Sequence, residues 1–125
     1  MAKILVIEDG LAFRTIIATA LRNRGHTIVE ARNGREGLKC QDSGAFDLVI
    51  CDLILPELGG IEAIRTLRAR DPNLPIVAIS GGAKTLEYLR TSDPFGGRAY
   101  LTKPFKIAEL IEAVDRLLVT VASVG

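Results

Sequence analysis

Five polar residues stand at or just behind the ends of four short apolar runs. Glu8 and Asp9 follow Lys3 to Ile7, Asp52 follows Leu48 to Cys51, and Ser80 follows Pro75 to Ile79. Lys103, immediately before Pro104, comes just after Arg98 to Leu101. If these runs are neighbouring strands, their ends form one rim carrying three carboxylates, a hydroxyl and an amine. Carboxylates so placed repel one another: at ~4 Å and an effective dielectric near 20, each pair costs on the order of 4 kcal/mol before screening. Either some are protonated or a cation lies among them. Carboxylate oxygens with room for water suit Mg²⁺, which often takes phosphate oxygens as further ligands. Lys103 supplies a second positive charge. A metal and a lysine together serve a transferring phosphoryl group, whose catalysis is mostly positioning and charge stabilisation. A carboxylate can itself be the nucleophile, giving an aspartyl phosphate. Asp52 is best placed for that role, and Ser80 for donating its hydroxyl to a phosphoryl oxygen. Each residue singly has an ordinary reading too: Asp52 as a strand end or turn cap, Glu8 and Asp9 as helix N-terminal charges, Ser80 as a turn residue, Lys103 as a solvated loop lysine. The set points to chemistry.

The elements that must position these groups follow from hydrophobic pattern. Leu48 to Cys51 is apolar, rich in β-branched residues and bounded by charges, as in a strand buried on both faces of a parallel sheet. Pro56 and Gly59-Gly60 then impose a loop. Lys3 to Ile7 and Thr27 to Ala31 read as the first two strands, Pro75 to Ile79 as the fourth and Arg98 to Leu101 as the fifth. Between them lie helical patterns. Phe13, Ile16, Ile17, Ala20 and Leu21 form the stripe of the first, which Asn23-Arg24-Gly25 ends with Gly25 as a left-handed cap. Asn33 N-caps a second helix running to about Gln41. Its Gly37 costs ~0.5–1 kcal/mol relative to Ala. Gly60 to Arg70 forms the third, with Ile61, Ile64 and Leu67 facing in, and Lys84 to about Ser92 a weaker fourth, ended by Pro94 and Gly96-Gly97. The last starts near Lys106, with Ile107, Leu110, Ile111, Val114, Leu117 and Leu118 inward. Five strands alternating with five helices argue a (βα)5 α/β fold, a doubly wound parallel five-stranded sheet covered on both faces. Ligands of such sheets bind at the carboxyl ends of the strands, at the switch point.

The chain has 125 residues, enough for one domain with a core and too few for two. It is read as a single domain over 1–125, with its core in 3–118 and an apolar tail over 119–125 that is either a frayed helix end or a partner contact. Basic and acidic residues nearly balance, 16 against 15, so charge gives no argument for nucleic acid or an anionic membrane. No apolar run is long enough to span a bilayer, and no signal-peptide pattern is present. Cys40 and Cys51 make no metal or redox motif and read as packing thiols in a reducing cytoplasm. His26 reads as exposed and idle in a turn, and Arg65, Arg68 and Arg70 as a solvated helix face.

Glu8-Asp9, then Asp52 with Pro56 and Gly60 behind it, then Ser80, then Lys103-Pro104, resembles the receiver domain of two-component response regulators, of the single-domain chemotaxis-regulator type. The likeness covers about residues 3 to 118. It implies the flavodoxin-like strand order 2-1-3-4-5. It further implies that Asp52 accepts a phosphoryl group from a sensor histidine kinase or phosphotransfer protein. Asp9 and Asp52 would bind Mg²⁺, with Glu8 acting through water and the backbone carbonyl of Ile54 as a further ligand. Lys103 would contact the phosphoryl group, and Ser80 and Tyr100 would be the switch pair, passing the signal to a downstream protein target. Such a domain is no enzyme beyond Mg²⁺-dependent self-phosphorylation and autodephosphorylation.

Some positions depart from that family's pattern. Leu55 stands where Met is common, Gly59 where Asp is frequent, and Gly81-Gly82 where an alanine and a larger residue are usual. Ser80 to Lys103 is one residue longer than the common pattern and contains the unusual Ser92-Asp93-Pro94-Phe95-Gly96-Gly97, which implies a short or displaced helix before the fifth strand. Two rivals remain. One is an interaction scaffold of the same fold without phosphorylation. The other is a haloacid-dehalogenase-like phosphatase, which needs a second Asp where this chain has Ile54. A flavodoxin-type cofactor binder would need a phosphate-cradling loop where Glu8-Asp9 would repel phosphate.

Overall fold

The structure, a computed structural model, describes residues 1–53, 59–81 and 99–124. In chain order the elements are β1 (Lys3–Ile7), α1 (Leu11–Asn23), β2 (Thr27–Ala31), α2 (Gly34–Ser43), β3 (Leu48–Asp52), α3 (Gly60–Arg70), β4 (Ile76–Ser80), β5 (Ala99–Thr102) and α4 (Ile107–Val124). The expected helix over Lys84 to Ser92, the Pro94–Gly97 segment, Leu55 and Pro56 lie outside the described residues. All strand pairings are parallel, in the order β2-β1-β3-β4-β5, so the expected doubly wound sheet is present. β3 and β4 are buried along their whole length, as their unbroken apolar runs require when both faces are covered.

Each face of the sheet carries its own core. Ile4, Val6, Leu48, Ile50, Val77 and Ile79 pack with Ile17 and Leu21 of α1 and Leu110 and Val114 of α4. Their sheet neighbours Leu5, Ile7, Val49, Cys51, Ile76 and Ala78 point to the other face and meet Ala63, Ile64 and Leu67 of α3. Fully burying a side chain of this kind stabilises by roughly 1.5–3 kcal/mol.

Several local readings hold. Asn33 caps α2 by accepting the Glu36 N–H at 2.8 Å. Gly25 has φ +91°, the left-handed value expected after α1. Others are corrected. Ile16 is 52% exposed and Ile61 37%, while Ala18 and Ala63 are buried in their stead. A helical stripe has two apolar flanks, and the small residues fit where the helix lies closest to the sheet. β4 starts at Ile76 rather than Pro75, and β5 reaches Thr102. The last helix runs to Val124, so the backbone of the expected tail continues α4. Arg68 is no free surface cation: its Nη1 donates to the carbonyls of Asp71, Pro72 and Leu74 and closes the end of α3. Arg70 pairs with Asp42 at 2.9 Å and ties α3 to α2.

Two glycines mark close approaches. A Cβ on Gly60 would overlap the Asp52 carbonyl oxygen and the Leu53 backbone, so α3 starts against the end of β3 only because no side chain intervenes. On Gly37 it would meet side chain alone, crowding Cδ1 and Cγ1 of the buried Ile7. Gly60→Ala is therefore expected to lower unfolding stability in urea by about 2–3 kcal/mol, and Gly37→Ala by about 1 kcal/mol. Equal losses would contradict this account, because backbone cannot give way as a side chain can.

His26 is half-buried rather than idle, and its Nδ1 accepts the Ala2 N–H at 3.2 Å. Burial, helped by the nearby N-terminal ammonium, pushes its imidazole below the usual value of 6.5. A folded value below the unfolded one gives stability that is present above about pH 6.5 and lost as pH falls through the folded value. His26→Ala is expected to cost about 1 kcal/mol at pH 7.5 and less at pH 5, read from urea unfolding at both. A deficit independent of pH would contradict that assignment.

Candidate functional site

The sheet order makes β1 and β3 neighbours where the winding reverses, with Ile7 opposite Cys51. Glu8 and Asp52 thus follow side by side at the switch-point crevice. Asp52 is the last residue of β3, opposite Ile79, and the Leu53 N–H donates to the Ile79 carbonyl at 2.9 Å. Ser80 ends β4 opposite Thr102. The next residue, Lys103, donates its backbone N–H to the Ser80 carbonyl at 2.8 Å. Hydrogen bonding of the strand ends therefore carries Lys103 over the crevice. The Lys103–Pro104 peptide is cis.

Glu8, Asp9 and Asp52 each place a carboxylate oxygen within 4.8 Å of the others. Glu8 and Asp52 are buried, at 1% and 4% exposure, and Asp9 is exposed. Lys103 Nζ lies 2.7 Å from Asp52 Oδ2 and makes an ion pair with Glu8 Oε1 at 2.5 Å. Glu8 Oε2 accepts the Gly10 N–H at 2.9 Å, and the buried Oε1 has the Lys103 ammonium as its ion-pair partner. Burial pushes the Glu8 carboxyl above its ordinary value, with Asp9 and Asp52 adding to the rise and Lys103 and the Gly10 N–H opposing it. Burial alone would lower the Lys103 ammonium, but its Asp52 and Glu8 partners outweigh that and hold it above its ordinary value. Among the described residues, one ammonium thus pairs with two of three clustered carboxylates, which leaves an excess of negative charge and oxygen donors. A hard divalent cation fits this donor set, because clustered carboxylate oxygens, one of them on the exposed Asp9, are the ligands Mg²⁺ takes while keeping several of its waters.

Ser80 is fully buried, and Tyr100 is buried in β5, opposite Ala78. Strand alternation puts Ser80 and Tyr100 on the same face of the sheet. Ile54 lies outside the described residues.

Two neighbours of the site escaped the sequence reading. Arg14 of α1 is buried, donating from Nη1 to the Glu8 carbonyl at 2.9 Å and from Nε to Glu30 at 3.2 Å. Its signal was its spacing, since Arg14, Ile17, Ala18 and Leu21 form one buried stripe. Phe13 lies under the Lys103 ammonium, 4.7 Å from Nζ to ring centroid. No sequence spacing announces that contact, because the two residues come from opposite ends of the chain.

The response regulator receiver domain profile matches residues 4–115. The chain belongs to that family. This receiver domain is 36% identical over 124 residues to a probable transcriptional regulatory protein of Picosynechococcus, a match covering 94% of this chain and 49% of that protein. It is 34% identical over 118 residues to the cell cycle transcriptional regulator CtrA of Caulobacter vibrioides, covering 93% and 50%. The receiver spans about half the length of these curated relatives. Among solved structures, a CheY-like receiver domain protein of Methanospirillum hungatei superposes with a TM-score of 0.92 at 26% identity, covering 100% of this chain and 99% of that one. A receiver domain from Clostridium thermocellum gives 0.90 at 25% identity, with both chains covered fully. The fold and the place in two-component signalling expected from the sequence are thus established. No helix of the described residues is long and apolar enough to cross a membrane.

Proposed function

We propose that this receiver is a phospho-aspartate switch in which Asp52 accepts a phosphoryl group from the phosphohistidine of a sensor histidine kinase or phosphotransfer protein. The observation that carries the reading is the Lys103 ammonium held between Asp52 and Glu8 at the mouth of the switch-point crevice. An Asp52 carboxylate oxygen attacks phosphorus; the new P–O bond forms as the P–N bond breaks, and the imidazole leaves with its electron pair. Lys103 then turns from Asp52 Oδ2 to the phosphoryl oxygens, and the Ser80 hydroxyl donates to one of them. Asp9 and Asp52 would hold Mg²⁺, with Glu8 acting through water and, by the family resemblance, the Ile54 carbonyl as a further ligand. When bound, Mg²⁺ supplies charge neutralisation for the transferring group. The added charge, roughly −1.5 to −2, favours the conformation that offers it a hydroxyl and an ammonium. Tyr100, on the same face as Ser80, passes the change to the surface of β5, where a downstream protein reads it. The domain acts as a single unit in the cytoplasm, and its only chemistry is on itself.

The phosphatase rival lacks its second aspartate at Ile54. Intact mass after incubation with acetyl phosphate, with and without Mg²⁺, tests the proposal. A Mg²⁺-dependent gain of one phosphoryl mass is expected. No gain, together with no Mg²⁺-induced shift of the Gly10 amide resonance, would overturn it in favour of an interaction scaffold.

A further inference from the structure

The Lys103 ammonium has a third attractive neighbour besides its two carboxylates. Phe13, in the first turn of α1, presents its ring to Nζ at 4.7 Å from the centroid. The same ring packs edge-on against Phe105, 5.2 Å between centroids and 70° between planes. Phe105 lies two residues beyond Lys103, so one aromatic pair bridges α1 and the segment that carries the lysine. Both rings are partly buried against the core shared by α1 and α4. The Lys103 side chain keeps 24% exposure, so water can reach the ammonium.

The three contacts differ in what phosphorylation does to them. Asp52 becomes an acyl phosphate, and Glu8 would take a bound Mg²⁺ through water as a further partner. The Phe13 ring neither titrates nor ligates, and its face attracts a cation in either state. From this geometry we infer that Phe13 is a positioning residue: it holds the Lys103 ammonium over the crevice while the carboxylate partners change. The inference rests on the phospho-aspartate reading for its consequence, though not for its geometry.

The test compares Phe13→Leu and Phe13→Met, which refill the space without a ring, with Phe13→Tyr, which keeps one. In protein with ¹³C-labelled lysine, the ring current should place the Lys103 ε-methylene protons upfield of those of Lys39 and Lys106. Lys3, 5.0 Å above the Phe46 ring, is an internal control that no Phe13 variant should move. Phe13→Leu and Phe13→Met are expected to remove the Lys103 shift. At saturating Mg²⁺ they should slow acetyl phosphate labelling about threefold to thirtyfold, while Phe13→Tyr stays within about twofold of the parent. The Mg²⁺ half-saturation, read from the Gly10 amide, should change by less than about twofold. Labelling of the ringless variants at the parent rate would overturn the inference, as would slower labelling with the Lys103 signal unmoved. A parent protein that takes no phosphoryl group would defeat the receiver chemistry alone. The inference would then be judged on the methylene shift: its presence in the parent and loss in Phe13→Leu uphold it, and its absence from the parent overturns it.

Discussion

Asp52→Asn is expected to abolish Mg²⁺-dependent labelling by acetyl phosphate, a loss of at least about a hundredfold in rate. The amide is close in shape to the carboxylate, but it is no nucleophile and cannot form an acyl phosphate. The variant should nonetheless fold. Replacing one of three clustered carboxylates relieves repulsion, while Lys103 keeps Glu8 as a partner. Circular dichroism should therefore show an unchanged fold and a thermal midpoint no lower than the parent's. A folded Asp52→Asn protein that labels as the parent does would remove Asp52 from the chemistry.

Lys103→Ala is expected to have two separable effects. The nearly buried Glu8 and Asp52 carboxylates would face one another without their shared cation. Removing one partner of a buried pair is expensive because it leaves the other charge uncompensated. The partial exposure of Lys103 discounts that figure, to about 1–3 kcal/mol at pH 7.5 without Mg²⁺. The pH dependence has a definite sign. The Glu8 carboxyl already lies above its ordinary 4.5, and losing Lys103 raises it further. A folded value raised above the unfolded one means that stability falls as pH rises from about 4.5 through the folded value. The deficit of Lys103→Ala should thus be small near pH 4, full by neutral pH, and partly restored by Mg²⁺. Urea unfolding at pH 4.5 and 7.5, with and without Mg²⁺, reads all three, and a deficit equal at both pH values would contradict the pairing. The second effect is functional: the variant should still take up a phosphoryl group at Asp52, more slowly, and switch poorly, since nothing replaces the ammonium at the phosphoryl oxygens.

The site was legible because its residues stand where the sequence marks strand ends. A buried parallel strand is an uninterrupted apolar run, so the first charge after it, at Glu8 or Asp52, is visible without a structure. Lys103 beside Pro104 carries a similar mark. The strand order was not legible from pattern alone and came from family likeness. Orientation within helices was the weakest part, since 3.6-residue spacing permits Ile16 or Ala18, and Ile61 or Ala63, to face in. The buried Arg14 was overlooked for a related reason: an arginine on a helix reads as solvated until its acceptors, the Glu8 carbonyl and Glu30, are seen on other segments. Arg68, His26 and Phe13 likewise take their meaning from partners that spacing does not reveal.

The most direct test of the phospho-aspartate switch is to trap the modified residue. The protein is labelled with acetyl phosphate and Mg²⁺, reduced with borohydride, digested and sequenced by mass spectrometry. An aspartyl phosphate is reduced to homoserine, so the account predicts homoserine at position 52 alone, dependent on both phosphoryl donor and Mg²⁺. Reduction at Glu8 or Asp9 instead, or an acid-stable phosphate on Ser80 with Asp52 intact, would contradict it.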